Sequence, residues 1–242
     1  LHHGPTLAFK DIAMQLIGNM YELVLEKNKI KINIIVATSG DTGAAAISAI
    51  KDKKNMKVFV FHPENKISEI QRKFMTTVKS KNVYNIALAG TFDDCQKIVK
   101  EMFLDKNFKS SVNLSGVNSI NWVRIVAQIV YYFFSFLQEW DEKEKINFSV
   151  PTGNFGDIFS GFFAKKMGLP INKLLIATNT NNILQRVLES GLYKPSKVHE
   201  TLSPSMDIQV ASNFERLLFY VLDQNEKKVN QLMSNLKNKG SF

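Results

Sequence analysis

Residues 32–50 read Ile32-Asn33-Ile34-Ile35-Val36-Ala37-Thr38-Ser39-Gly40-Asp41-Thr42-Gly43-Ala44-Ala45-Ala46-Ile47-Ser48-Ala49-Ile50. A β-branched apolar run from Ile32 to Ala37 predicts a buried strand, and the alanine-rich stretch from Gly43 to Ile50 predicts a helix. Between them lies a polar turn with two glycines. Working outward, the same hand-over recurs. Strands are predicted at Val58 to Phe61, Val83 to Leu88, Phe148 to Val150 and Leu174 to Ala177. Helices are predicted at Thr6 to Glu26, Ser68 to Val78, Thr91 to Phe103, Ile120 to Glu139, Gly156 to Met167, Ile183 to Glu189 and Asn213 to Leu222. Alternation of this kind specifies βαβ units and a largely parallel sheet, hence an α/β fold.

No Pro/Gly/Ser-rich linker, repeat or low-complexity run divides the 242 residues, so a second domain has to be interleaved with the first. The charged segment Asp141 to Lys145 reads as a helix-to-strand loop, and Asn225 to Phe242 as a polar end with no closing element. Leu1-His2-His3-Gly4-Pro5 has neither the basic nor the apolar region of a secretory signal. The expectation is a fragment that begins inside a longer protein.

Composition narrows the class. With 45% hydrophobic residues the chain can bury a sizeable core. Its most apolar stretch, Ile120 to Leu137, contains Asn121, Arg124 and Gln128, which argues against a membrane span. The single cysteine, Cys95, excludes an internal disulfide and any cysteine-cluster metal site, and fits a cytoplasmic location. His2, His3, His62 and His199 are scattered without ligand spacing, so no metal is expected. The net charge of +9 raises a nucleic-acid reading. Against it, the lysines are dispersed among acids and asparagines with no aromatic interleaving, as on a solvated surface.

Three glycine-bearing turns sit where a strand hands over to a helix, the place where α/β sheets bind ligands. In the first, the Ser39 and Thr42 hydroxyls with the helix-start amides make a cradle for a carboxylate or phosphate; the plainer reading is that Asp41 or Thr42 caps the helix. The second, Val150-Pro151-Thr152-Gly153-Asn154-Phe155-Gly156-Asp157, aims a helix start at an anion. Its GxxG spacing lacks the dinucleotide fingerprint, so the ligand is a smaller phosphate, or the segment is only a tight turn. The third opens the most apolar helix with Ser119, Asn121 and Arg124. Arg124 can fork two bonds onto a phosphate, or pair with an internal carboxylate.

Lys10 lies in Gly4-Pro5-Thr6-Leu7-Ala8-Phe9-Lys10-Asp11 with apolar neighbours all round. Desolvation favours its neutral amine, a nucleophile and base. Alternatively it snorkels to solvent or pairs with Asp11.

Together the segments HGPTLAFKD, TSGDTG, NSINWVRI, PTGNFGDI, KKMGLPI and SPSMDIQVASNFERLLF resemble the threonine synthase family of the longer bacterial and fungal type, within the fold-type II pyridoxal phosphate enzymes. They occur in the family's order from Leu1 to about Leu222. The resemblance implies a tryptophan synthase β-like fold with a parallel-sheet large domain, residues 1–31 and 116–242, and an interleaved smaller α/β domain, residues 32–115, that is mobile and closes over substrate. It implies pyridoxal 5'-phosphate held by Lys10 as a Schiff base, with Gly153, Asn154, Phe155, Gly156 and Asp157 around its phosphate and Asp41 at its 3' oxygen. Ser39, Gly40 and Thr42 then hold the substrate carboxylate, and Ser119, Asn121 and Arg124 grip the phosphate of O-phospho-L-homoserine.

The implied reaction is that of a carbon-oxygen lyase acting on phosphates, which converts O-phospho-L-homoserine and water to L-threonine and phosphate. A phospho-lyase giving 2-oxobutyrate shares its early steps. Serine or threonine dehydratases and cysteine synthases share the fold but need no second phosphate site. By the same resemblance, the region before the lysine motif and the C-terminal part that partners the pyridine nitrogen are absent. The expected assembly is a monomer or homodimer with no nucleic-acid or membrane partner.

Overall fold

The computed structural model describes residues 2–139 and 145–242. The loop predicted from Asp141 to Lys145 therefore falls, except for Lys145, outside the described residues. The chain forms two compact units, Leu1–Ala127 and Gln128–Phe242.

The first unit runs α1 (Lys10–Asn28), β1 (Ile32–Ala37), α2 (Asp41–Ile50), β2 (Met56–Pro63), α3 (Glu69–Thr76), β3 (Val83–Leu88), α4 (Phe92–Leu104), α5 (Lys106–Ser111) and β4 (Leu114–Gly116). Its four strands are parallel in the order β3-β2-β1-β4, with Ile34 opposite Val58, Val60 opposite Asn85 and Asn33 opposite Leu114. Strand alternation explains why both faces are apolar. Ile34, Val36, Val58 and Val60 point into a core with Met14 and Ile17 of α1 and Ala45, Ala46 and Ile47 of α2. Ile35, Phe59 and Phe61 point the other way, onto Cys95, Ile98, Val99 and Phe103 of α4.

The division between the units falls inside α6 (Trp122–Glu139). The second unit continues with β5 (Ile146–Pro151), α7 (Gly156–Lys166), β6 (Ile171–Ala177), α8 (Ile183–Ser190), a 3-10 turn at Pro204–Met206, α9 (Phe214–Val221) and α10 (Glu226–Lys239). Strands β5 and β6 are parallel. Their core joins Ile129, Tyr132 and Phe136 of α6 to Ala164 of α7, Leu169 and Ile171. Burial pushes the Tyr132 phenol far above its usual range, with Asp157 adding to the rise. It remains a proton donor to the Asp157 carbonyl at 2.7 Å.

Two expectations are corrected, and two elements are added. The helix predicted from Thr6 starts at Lys10, because Leu7 takes a left-handed φ of 60° and Asp11 captures the Thr6 and Ala8 amides. The segment from Asn225 to Phe242 has a closing element: α10 is capped by the Asn225 side chain and by left-handed Gly240. Phe242 then exchanges backbone hydrogen bonds with Tyr193 and stacks on its ring at 5.0 Å. Finally, β4 and α5 were not predicted. Among the described residues, no helix is long and apolar enough to cross a membrane.

Candidate active site

In the first unit the approach to Lys10 is built by Asp11. Its carboxylate, 1% exposed, accepts from the Thr6 amide at 2.9 Å, the Thr6 hydroxyl at 2.5 Å and the Ala8 amide at 3.3 Å. Asp11 is thus occupied with its own loop and is not the partner of Lys10. Nor does Lys10 reach for water: the residue is 8% exposed, with Nζ 3.0 Å from Asp41 Oδ2 and 4.3 Å from the Phe9 ring centroid. The first glycine turn therefore brings Asp41 to the lysine from 31 residues away in sequence.

That turn is not capped by Asp41 or Thr42. Buried Thr38 takes the capping part, its hydroxyl accepting from the Gly40 and Gly43 amides at 2.9 and 3.0 Å. This leaves the Asp41 carboxylate directed outward from the helix start, where the dipole favours negative charge. Gly40 has a φ of 139°, accessible to glycine alone among ordinary residues. Ser39 and Thr42 flank it, half-buried, at the same helix start. Gln71 of α3, which sequence reasoning missed, donates to Asp41 Oδ1 at 2.5 Å.

The third turn also lies in this unit. Asn121 Oδ1 accepts from the Val123 amide at 3.0 Å at the start of α6. Arg124 is 3% exposed and donates through Nη1 to the Val117 carbonyl at 3.2 Å. Ser119 precedes it, half-buried.

In the second unit the Gly153–Asp157 turn connects β5 to α7. Thr152 ties it to the sheet through its amide on the Ala177 carbonyl at 2.9 Å. Phe155, 4% exposed, adopts a left-handed φ of 66° immediately before α7, a strained state for a bulky residue. Its ring meets Phe214 edge-on at 5.4 Å. Asn213 donates to the Asn154 carbonyl through both its amide and its side chain, at 3.0 and 3.1 Å, and the Ser212 hydroxyl reaches Asn154 Oδ1 at 3.1 Å. A β-carbon on Gly153 would sit 3.2 Å from the Ser205 carbonyl oxygen, so the SPSMDI segment packs directly under the turn.

That segment is held by Asp207. Its Oδ1 accepts from Asn179 at 2.7 Å, Asn181 at 3.0 Å and the Thr201 hydroxyl at 2.7 Å, and Oδ2 from the Thr201 amide at 2.9 Å. Asp207→Ala is expected to cost about 2–3 kcal/mol, since several partly buried donors lose a charged acceptor. A urea titration followed by circular dichroism measures this. Limited proteolysis should show earliest cleavage between residues 196 and 213.

Asp207, Ser212 and Asn213 were legible only as part of the resemblance, because side chains that brace a loop from a distance leave no local pattern. Lys10, Ser39–Thr42 and Ser119–Arg124 lie in one unit and Gly153–Asp157 in the other. Among the described residues, no three of His, Cys, Asp and Glu gather as metal ligands.

The family model that matches residues 1–232 is that of the pyridoxal-phosphate dependent enzymes. The chain is 51% identical over 242 residues to threonine synthase of Pseudomonas aeruginosa, covering all of this chain and 52% of that one. It is 51% identical over 262 aligned positions to threonine synthase of Saccharomyces cerevisiae, covering all of this chain and 51% of that one. The crystal structure of threonine synthase from Brucella melitensis with pyridoxal phosphate bound superposes with a TM-score of 0.94 at 51% identity, again over all of this chain and 52% of that one. The chain thus spans about half the length of the relatives it matches.

Proposed function

The chain belongs to the pyridoxal-phosphate dependent enzymes, and from that premise we propose that it contributes to a threonine synthase, which turns O-phospho-L-homoserine and water into L-threonine and phosphate. The observation that carries the reading is Lys10, a buried primary amine in ion-pair distance of Asp41 at a glycine turn. A second support is the agreement with threonine synthases over the whole of this chain.

The residues present fit the coenzyme. A buried lysine suits its aldehyde, and the Gly153–Asp157 turn, with buried glycines and a helix start, suits its phosphate. When bound, the coenzyme supplies an electron sink for the charge left as protons leave the substrate carbons.

The protein's own residues do the rest. Lys10 would hold the coenzyme through its amine and, with that amine free, would take the proton from the substrate Cα as a general base. Asp41 lies against that amine and would also meet the coenzyme's 3' oxygen. Ser39, Gly40 and Thr42 hold the substrate carboxylate at the start of α2, where amides and dipole both favour an anion. Ser119, Asn121 and Arg124 grip the substrate phosphate and receive it as the bond from Cγ breaks. To balance, a proton would leave Cβ as the Cγ–O bond breaks, a proton would return to Cγ, and water would give its hydroxyl to Cβ and a proton to Cα, the last delivered by Lys10 as general acid.

In this reading residues 1–31 and 116–242 form the coenzyme domain, and residues 32–115 the smaller domain that closes over substrate. Support comes from the β1–β4 sheet, whose four strands all fall between Ile32 and Gly116. The enzyme is cytoplasmic, works as a monomer or homodimer, and has no nucleic-acid partner.

Product analysis of the whole protein with O-phospho-L-homoserine tests the reading. Equal amounts of threonine and phosphate are expected. Phosphate with 2-oxobutyrate and ammonia would make it a phospho-lyase instead, and no phosphate release would overturn both.

A further inference from the structure

We infer that Gln71 is a positioning residue for Lys10, acting through Asp41, so that α3 sets the state of the reactive amine. The inference rests on the reading of Lys10 as the coenzyme lysine and adds to it a residue 61 positions away.

The geometry is a chain of three contacts. Ser68 Oγ donates to Gln71 Oε1 at 3.1 Å, Gln71 Nε2 donates to Asp41 Oδ1 at 2.5 Å, and Asp41 Oδ2 receives Lys10 Nζ at 3.0 Å. Each Asp41 oxygen therefore has a different partner. A carboxylate engaged at both oxygens turns away from the ammonium less readily than one engaged at a single oxygen.

Two further observations show that Gln71 is built for this contact. Ser68 caps α3 by accepting from the Gln71 amide, and a glutamine three residues after such a cap ordinarily reaches back to the cap's own N–H. Here its oxygen takes the Ser68 hydroxyl instead, and its NH2 turns outward to Asp41. The Gln71 carboxamide also lies over Gly40, where a β-carbon would collide with its Oε1 and Cδ. The bare backbone of Gly40 is what leaves room for the amide to cross to Asp41.

The consequence concerns the proton on Lys10. A fixed carboxylate favours the ammonium form, and a carboxylate free to swing favours it less. Gln71→Met keeps length and bulk but removes the donor. In coenzyme-free whole protein, reductive methylation of Lys10 with formaldehyde and cyanoborohydride, quantified by peptide mass spectrometry, reports the neutral amine. Asp41→Asn should raise the Lys10 rate about tenfold, because the carboxylate that favours the ammonium form is gone. Gln71→Met should raise it about threefold, since the ion pair is loosened rather than removed.

The decisive measurement is the double variant. If Gln71 works through Asp41, adding Gln71→Met to Asp41→Asn changes the Lys10 rate no further. A residue that merely packs α3 would raise the rate by the same factor in both backgrounds, and that result, or no change in Gln71→Met alone, overturns the positioning role. Borohydride trapping of pyridoxal phosphate on wild-type protein runs alongside. No label at Lys10 there would sink the functional reading itself, while label at Lys10 with an unresponsive Gln71 sinks only the inference.

Discussion

Lys10→Ala is expected to lower threonine formation by about 10⁴-fold, which corresponds to about 5 kcal/mol of transition-state stabilisation. Two losses combine. The coenzyme is no longer held covalently, and no amine remains to take the Cα proton. The readout separates them from a folding defect. Wild-type whole protein mixed with pyridoxal phosphate should show an absorbance band near the visible blue edge that borohydride removes, and Lys10→Ala should show none. A small exogenous amine should restore part of the turnover by replacing the base. The variant should still fold, because Asp41 keeps the Gln71 donor and Asp11 keeps its loop. Undiminished turnover, or a reducible band of wild-type size in Lys10→Ala, would refute the assignment.

The residues that made Lys10 readable and those that surround its amine are different sets. The motif around it was visible as a string, but by itself left open a lysine reaching for water or pairing with Asp11. The structure removes both options through contacts over long sequence distance: Asp41 is 31 residues from Lys10, and Gln71 is 30 from Asp41. No periodicity or spacing encodes such pairs. What the sequence does carry is the cap signal Ser68-x-x-Gln71, a helix-start pattern whose glutamine is here directed elsewhere.

The same division holds for the fold. Strand β1 begins and ends where its β-branched run predicts, because a central parallel strand is buried on both faces, and the edge strand β3 also spans its predicted Val83 to Leu88 although Tyr84 and Ala87 are exposed. Strand β4 has three residues, Leu114-Ser115-Gly116, and exists because Asn33 to Ile35 offer it a free edge. Helix α10 is mostly charged and amidic, which hid Val229, Leu232, Met233 and Leu236 at helical spacing. The turns were legible as glycine punctuation, yet the cap of the first belongs to Thr38 rather than to Asp41 or Thr42. That exchange has a functional side: a capping Asp41 would point into its own helix, whereas with Thr38 in that place its carboxylate is available to Lys10.

Arg124→Ala is expected to reduce kcat/KM for O-phospho-L-homoserine by about 10²–10³-fold, or about 3–4 kcal/mol, the scale of losing a charged donor at a phosphate that gains charge as it leaves. The residue is 3% exposed and sits in the first turn of α6, where the helix start adds its own pull on an anion. Its Nη1 donates to the Val117 carbonyl, which anchors one end of the guanidinium. Arg124→Lys keeps the charge but loses the planar fork, so it should recover only part of the rate. Two comparisons keep the result specific. Turnover of serine, which has no phosphate to hold, should be little changed in Arg124→Ala, whereas a damaged active site would lose both activities together. Thermal unfolding should show a modest loss from the unpaired Val117 carbonyl, about 1–3 kcal/mol, and this should be shared by Arg124→Lys wherever the ammonium fails to reach that oxygen. Equal losses on serine and on O-phospho-L-homoserine would assign Arg124 to the fold of α6 rather than to the substrate phosphate.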